Sequence, residues 1–480
     1  MKSWLRQYTR NDSHLQFWKE HPALLASLAI LIGTSSALFF EHYFWSCIFA
    51  CYLVFCRASM QIILLVFSIF YGHLHKIPEL PKEITGIFTP HILLPHSTPF
   101  HQELQYKGYL NEIPCTIYFR GNKEQRPLAN KKYLVQGELQ ERGKADFVLK
   151  TKEWKEHSSF FTFAEQRYLT KEKFKRFLYK NLSLPSAKFL SSITTGDVED
   201  RSLRYEFSRV GLQHILAISG FHFGILIAFL TYFLGLIFTR TWKILSLFLL
   251  TTAYYIFVGS TPAVERSYLT ALFYLLGMWT HRNTSGLNLL GMALGIEILF
   301  NPHISSNLGF QLSFLSCFAI LLFYSPIEQW MRKFLLKRSW SEIQNLTLLS
   351  RHGYLLSSFF RKALSLNLAV NIALLPLILY HFQQFPFLGL IYNLFFPFCI
   401  GGSLFLLLVA LLFQLLFYPL AKPIFWFTSL WTDFLLSLVY NPPLAIDFSL
   451  RFSYVPVSFI MSYLCILGYF KISKSHNSPI

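Results

Sequence analysis

The run Phe207-Ser-Arg-Val-Gly-Leu-Gln-His-Ile-Leu-Ala-Ile-Ser-Gly-Phe-His-Phe-Gly224 places His214, Ser219, Gly220, His222 and Gly224 close together in apolar surroundings. A serine flanked by histidines supplies the parts of a nucleophile and its base. His214, Ile218 and His222 fall at i, i+4 and i+8, so a continuous helix carries both imidazoles toward one side. Two features speak against chemistry. Ala-Ile-Ser-Gly lacks the glycine two positions before the serine that a nucleophile elbow uses. Two histidines without a neighbouring carboxylate make a poor metal site, and no His-Glu-x-x-His motif occurs. No catalytic residue, metal or cofactor is therefore expected. Close helix packing through small residues and a pore-lining or gating segment both remain open, because polar groups at membrane depth face a bundle interior or a water-filled cavity.

The elements that position this run are those of a membrane protein. The 480 residues are 53% hydrophobic and 18% aromatic, with 51 Phe, and only 14% are charged. Mean hydropathy is +0.39. Uncharged stretches at His21–Phe40, Ala58–His75, Leu212–Thr239, Ala363–Ala421 and Phe452–Phe470 each reach the roughly 18 residues a bilayer crossing needs. This excludes a soluble enzyme, a disordered chain and a fibre. The net charge is +18, from 43 Lys+Arg against 25 Asp+Glu; either cytoplasmic loops collecting cations or a polyanionic partner explains it. Of the cysteines, Cys47, Cys51, Cys56, Cys317, Cys399 and Cys465 lie in apolar stretches and Cys115 in a polar one, which gives no oxidised framework. Lys2, Arg6 and Arg10 precede a stretch that reads as a retained span.

With a cytoplasmic N-terminus, three spans in 1–75 leave the polar block outside. Spans near 212–238, 242–259, 265–280, 285–301 and 308–325 then return Arg332, Lys333, Lys337, Arg338, Arg351, Arg361 and Lys362 to the cytoplasm. Runs near 363–381, 385–418, 423–440 and 452–470 bring the total to about twelve spans. The run 385–418 contains Pro397 and Gly401–Gly402, which suits a broken helix or a re-entrant pair. The expected fold is thus a polytopic α-helical membrane protein with a small extracytoplasmic β-barrel after the third span. That barrel comes from Ile84–Phe88, Leu104–Leu110, Cys115–Arg120, Tyr133–Leu139 and Ala145–Thr151, short alternating runs separated by turns. Five such strands suit the oligonucleotide-binding (OB) type of barrel. The segment Tyr168–Leu182 reads as a basic amphipathic helix, with Phe174, Phe177 and Leu178 on one face and Lys173, Lys175, Arg176 and Lys180 elsewhere. The domain division is 1–75, N-terminal helices; 76–165, barrel; 166–205, interfacial helix and linker; 206–471, main membrane domain; 472–480, cytoplasmic tail.

These residues together resemble the ComEC-type competence proteins. The resemblance rests on Thr195-Gly-Asp197, Phe207, Gly211 and His214-Ile-Leu-Ala-Ile-Ser-Gly-Phe-His222-Phe-Gly224. It continues through Gly259-Ser-Thr-Pro-Ala-Val-Glu-Arg266, Asn301-Pro302 (Asn where Asp is commoner) and Leu308-Gly-Phe-Gln-Leu-Ser-Phe314. Leu375-Pro376, Tyr380-His-Phe382 and Asn393…Pro397 complete it. It implies an inner-membrane, multi-pass channel through which transforming single-stranded DNA enters the cell, preceded by an OB-like domain. Many members continue into a metallo-β-lactamase-like domain. This chain ends soon after Phe470 without a His-x-His-x-Asp-His cluster, so nuclease activity is not expected. Nor does the OB-like region hold a second cysteine for a disulfide.

A DNA path needs polar or cationic walls, because hydrocarbon cannot solvate phosphate charge. Arg266, at a span start beside Glu265, is the candidate phosphate contact; a pair with Glu297 or a helix carbonyl is the alternative. Gln311, Ser313, Asn371 and Asn393 lie inside apolar runs and either line that path or bond helices together. Capture falls to Tyr106, Lys107, Tyr118, Arg120, Lys131, Lys132 and Tyr133, where aromatic and basic residues interleave, although an ordinary solvated face reads the same way. No Gly-x-x-x-x-Gly-Lys-Ser/Thr loop occurs, so ATP-driven pulling falls to a partner. Expected partners are single-stranded DNA, membrane lipid, a DNA receptor, a cytoplasmic ATP-driven translocase and a second copy of the chain. An intramembrane hydrolase using Ser219 with His222, and a lipid or small-molecule transporter, are the competing functions.

Overall fold

The structure is a computed structural model that describes residues 15–39, 43–77, 83–97, 102–120, 126–143, 146–443, 447–451 and isolated positions between 456 and 466. Helices α1 (Pro22–Leu38), α2 (Tyr43–Phe55) and α3 (Ser59–Leu74) come first. Five strands follow: β1 (Glu83–Ser97), β2 (Gln102–Leu110), β3 (Ile113–Arg120), β4 (Lys131–Gly143) and β5 (Asp146–Ser159). Then come α4 (Ala164–Asn181), α5 (Leu184–Thr195), α6 (Arg201–Arg209), α7 (Gln213–Leu216), α8 (Gly220–Ile237), α9 (Arg240–Val258) and α10 (Pro262–Trp279). Further helices are α11 (Gly286–Phe300), α12 (Leu308–Met331), α13 (Trp340–Gln344), α14 (Leu348–Phe382), α15 (Phe387–Leu416) and α16 (Tyr418–Tyr440), and Gln384–Pro386 pairs with Ser449–Arg451 in a two-stranded sheet. Two compact units divide the chain: Met1–Leu74 with Asn283–Pro397 and Pro443–Ile480, and His75–Arg282 with Phe398–Pro442.

Among the described residues, five helices are long and apolar enough to cross a membrane: α8, α9, α12, α14 and α15. The helices α1, α2, α3 and α11 are apolar but have 17, 13, 16 and 15 residues, below the roughly 20 that span hydrocarbon unaided. The expected span at 452–470, like Cys465, falls almost wholly outside the described residues. Within 385–418 the chain forms one 30-residue helix, α15 (Phe387–Leu416), with Pro397 inside it, not a broken or re-entrant pair. The basic stretch is only partly a loop, since α14 begins at Leu348 and takes in Arg351, Arg361 and Lys362. Arg361 is buried: its guanidinium meets Glu328 at 3.1 Å and the Leu335 and Leu336 carbonyls at 2.9 and 3.0 Å. It therefore closes the end of α12 instead of facing a solvated loop.

In the first unit, small residues let helix backbones approach. A Cβ on Gly33 of α1 would collide with Ser68 Oγ on α3, and one on Gly72 would stand 2.7 Å from the Ala37 Cβ. Such contacts gain dispersion energy where lipid supplies no hydrophobic drive. Trp18 joins the same core and donates to Tyr52 Oη at 2.8 Å.

In the second unit the five expected strands close into a barrel in the order β1-β2-β3-β5-β4, with β3 and β5 parallel and the other pairs antiparallel. Alternation decides which side chains fill it: Leu104, Tyr106 and Leu110 of β2 and Tyr133 and Val135 of β4 point inward. The ring of Trp154 meets Phe88, Tyr106 and Tyr133 at 5.4–6.5 Å. The first turns of α4 complete the core with Ala164 and Tyr168. Glu165 pairs with the Arg126 guanidinium and accepts from the Ala129 amide at 2.9 Å, while Arg126 lies 4.5 Å from the Tyr168 ring centre.

Burial works against the Glu165 carboxylate, but the bonds from Arg126 and Ala129 outweigh it and hold its pKa below 4.5. A depressed carboxylate pKa gives stability that is complete above the unfolded value and lost as pH falls through the folded one. Glu165→Gln should therefore cost about 3 kcal/mol at neutral pH, because it leaves Arg126 buried and unpaired. Thermal melts of the full chain in detergent should show the gap from wild type closing below the ordinary glutamate range. Parallel melting curves down the whole pH range would refute the assignment.

Candidate functional site

The motif run does not form one helix. It folds as α7, a break at Ala217–Ser219, and α8. Ala217 is extended at φ −81°, ψ 133°, and Ser219 is extended as the N-cap of α8. The expected alignment of His214 and His222 on one helical face is thus overturned. The competing principle is local capping: the Ser219 backbone amide donates to His222 Nδ1 at 3.2 Å, and Ser219 Oγ accepts from Phe221 N at 3.3 Å. This is a capping box with histidine in the place of the usual Glu or Gln. His214 sits exposed on α7, while His222 is 5% exposed.

Arg266 comes to the same turn from α10. A Cβ on Gly220 would stand 3.3 Å from Arg266 Nη2 and 3.4 Å from Ser267 Oγ, so the missing side chain is what lets the guanidinium lie against the start of α8. Arg266 is 6% exposed, and its Nη2 donates to Ser267 Oγ at 3.4 Å. Ser219, Gly220, His222 and Arg266 thus meet at one turn, the first two half-buried and His222 and Arg266 buried. On the flank of α8 runs an apolar groove of about 600 Å³, lined by Phe221, Ile225 and Tyr232 of α8 and Phe398, Gly401 and Phe405 of α15. Gly224 is exposed, and a Cβ there would meet nothing within 4 Å.

Chemically, Ser219 Oγ lies 3.2 Å from His222 Nδ1, the distance of a nucleophile and its base. That nitrogen already receives the Ser219 amide, and His222 Nε2 has no hydrogen-bond partner among the described residues. Among the described residues no third group orients the imidazole as a triad requires.

The other four motif residues belong to the first unit. Gln311 donates to the Ser305 carbonyl at 2.8 Å, and Asn371 to the Asn367 carbonyl at 2.9 Å. Ser313 is half-buried, and Asn393 Oδ1 is buried without a hydrogen-bond partner among the described residues. Asn367, which the sequence did not single out, ties α14 to α15 through the Leu390 carbonyl at 2.8 Å.

On the barrel, Tyr106 cannot stack a nucleobase: it is fully buried and donates to the Pro127 carbonyl at 2.8 Å. Tyr133 is likewise interior, donating to the Leu128 carbonyl at 2.9 Å. Both are inward members of the strand alternation, which a count of aromatic and basic residues ignores. Lys107 is exposed and Tyr118 half-buried on the outer face. Lys131 pairs with Glu156, and Lys132 lies 5.9 Å from the Phe160 ring. The Arg120 side chain lies outside the described residues.

Sequence reading missed a second node. Lys171 and Lys175 of α4 are 2% and 5% exposed, and Asp197 binds both, at 2.9 and 3.1 Å. Lys175 also meets Glu172 and Glu199. Lys175 was expected on the polar side of an amphipathic helix; the buried face instead carries Tyr168, Lys171, Lys175 and Leu178. Lys173, Arg176 and Lys180 are exposed as expected. Asp197 reaches this position because Gly196 ends α5 in the left-handed region, at φ +79°. Burial lowers the Lys171 pKa against the opposing pull of Asp197. For Lys175 burial acts the same way, but Asp197 and Glu199 prevail and raise it. One member of the stripe, Arg167, donates from Nε to the Ile256 carbonyl at 2.7 Å, at the end of α9. The four-residue spacing of Arg167, Lys171 and Lys175 was the available signal.

Fold and site define a helical protein with membrane-competent spans, a closed five-stranded barrel and a motif turn where His222 and Arg266 are buried. A family model described as Competence protein matches residues 194–475. The chain belongs to the competence protein family. It is also 32% identical over 237 residues to ComE operon protein 3 of Bacillus subtilis (strain 168), an alignment that takes in 46% of this chain. The chain spans about a quarter of that relative's length, the matched share being 26%. No solved structure gives a significant match.

The two glycines of the motif separate by packing. Gly220→Val should cost about 1–3 kcal/mol by forcing the Arg266 guanidinium aside, whereas Gly224→Val should leave stability unchanged or raised. Thermal unfolding of both variants in detergent measures this; equal losses would refute the Gly220–Arg266 contact.

Proposed function

We propose that the chain forms the path by which single-stranded transforming DNA crosses the cytoplasmic membrane. One observation carries the reading. A chain of the competence family joins membrane-competent helices to a closed five-stranded barrel, in the order β1-β2-β3-β5-β4, which we read as being of the OB type. We assign the barrel to the outer side of the membrane, after three N-terminal spans, and about twelve spans to the multi-pass whole, with the domain division given above. Capture falls to the outer face of the barrel, with Lys107, Tyr118, Arg120, Lys131 and Lys132 neutralising phosphates and stacking bases. His214, Ser219, Gly220, His222, Gly224, Arg266, Gln311, Ser313, Asn371 and Asn393 border the path. A DNA receptor would deliver the strand, an ATP-driven translocase would pull it, and membrane lipid and a second copy of the chain are the remaining partners.

A second reading, an intramembrane hydrolase, draws support from the 3.2 Å approach of Ser219 Oγ to His222 Nδ1. The two readings differ at Ser219→Ala: a hydrolase loses all activity, a channel only part of its flux.

Uptake of labelled DNA by cells is the test. Deleting the gene should abolish entry into the cytoplasm while surface binding of duplex persists. Complementation with a Lys107→Ala, Tyr118→Ala double variant should restore only about a tenth of wild-type uptake, given roughly 1–3 kcal/mol per stacked base. Undiminished uptake after deletion would overturn the proposal.

A further inference from the structure

The first turn of α8 is fastened to an acceptor that a proton can remove. In a capping box the third helical residue is ordinarily Glu or Gln, whose oxygen goes on accepting at neutral pH. Here it is His222, and an imidazole nitrogen accepts only while it carries no proton. The bond from Ser219 N to Nδ1 therefore holds the neutral ring with its proton on Nε2, which is buried with no hydrogen-bond partner among the described residues. The ring is sealed from solvent, with His222 5% exposed.

Titratable groups on the elements around this turn are few. Arg266 of α10 lies against Gly220, and its neighbour Glu265 binds Ser260. On α9, Tyr254 packs its ring 5.1 Å from that of Phe223, and Tyr255 stacks on Tyr268 of α10 against the same cluster. His214 on α7 is exposed, Cys399 on α15 is half-buried, and Asp197 after α5 is held by Lys171 and Lys175. No carboxylate forms an ion pair with His222 among the described residues, so its protonated form would gain no counter-charge there. Protonation places N–H on Nδ1 facing the Ser219 amide, donor against donor, and leaves it as acceptor only the Ser219 hydroxyl oxygen at 3.2 Å, which already accepts from Phe221 N. It also adds a second cation to the turn that Arg266 already occupies.

We propose that the Ser219–His222 cap is a proton-sensitive latch: when His222 takes up a proton, the N–H···Nδ1 bond breaks and residues 217–223 loosen. The latch stands apart from the transport reading. Under that reading, it would make the mobility of the motif depend on the acidity of whatever water reaches it.

Hydrogen exchange of the full chain in detergent micelles, corrected for intrinsic rates, tests this on a peptide covering 215–223. From about pH 8 to about pH 4, a range wide enough for a perturbed imidazole, wild type should lose at least about tenfold in protection. His222→Asn puts a non-titrating oxygen near the place of Nδ1 and should keep its protection across the range. His222→Lys should be open throughout, and His214→Asn should retain the wild-type course. Flat protection in wild type overturns the latch. So does a His222→Asn variant that still opens in acid, or a His214→Asn variant that no longer does, since each places the titrating group elsewhere.

Discussion

The second unit depends on one carboxylate shared by two buried ammonium groups. A buried lysine is tolerated only with a partner that offsets lost hydration, and removing one member of such a set leaves an uncompensated charge. Asp197 supplies that partner to both Lys171 and Lys175. Its position follows from the left-handed Gly196, which turns the chain out of α5. Because both lysines are on α4, the bond fixes the depth and rotation of the helix whose first turns complete the barrel core. Arg167 continues the stripe to the end of α9, and Phe174 and Phe177 meet Phe257 and Phe425 at 5.9 and 5.8 Å. The barrel and the helices of its unit are therefore held by one element.

A second constraint shapes the motif. A helix that starts among apolar residues must satisfy its first amides from its own sequence, because hydrocarbon offers no partners. Ser219 and His222 do this for α8, and Gly220 leaves room for Arg266 beside them. The amides of the first unit serve a related purpose, with Gln311 closing the Ser305 carbonyl just ahead of its helix, Asn371 a carbonyl within its own, and Asn367 bridging two helices. Polar residues in these helices thus spend much of their bonding capacity on backbone. His222 and Arg266 are both buried beside this turn.

Alternation and turn residues made all five strands legible, and the family was legible from the motif run. Much of what escaped the sequence concerned which side of an element faces the protein, and the rest where a helix breaks. Tyr106 and Tyr133 alternate inward, although their phenols and basic neighbours resemble a binding face. Lys175 turns inward because a carboxylate 22 residues along the chain waits for it. Arg361 does the same toward Glu328, 33 residues away. The two histidines lost their shared face because a local cap broke the helix between them. Pro397 had the opposite effect, failing to break α15 where the sequence suggested it would. Periodicity reports local structure, and these outcomes were set by pairs distant in sequence or by capping bonds that periodicity does not register.

The shared carboxylate can be tested most directly by a double-mutant cycle. Thermal unfolding of the full chain in detergent would be measured for wild type, Lys171→Met, Asp197→Asn and the two together. A coupling of at least about 1 kcal/mol, with the double variant less damaged than the sum of the singles, is the expected result. Effects that add to within about 0.3 kcal/mol would mean that Asp197 does not hold α4.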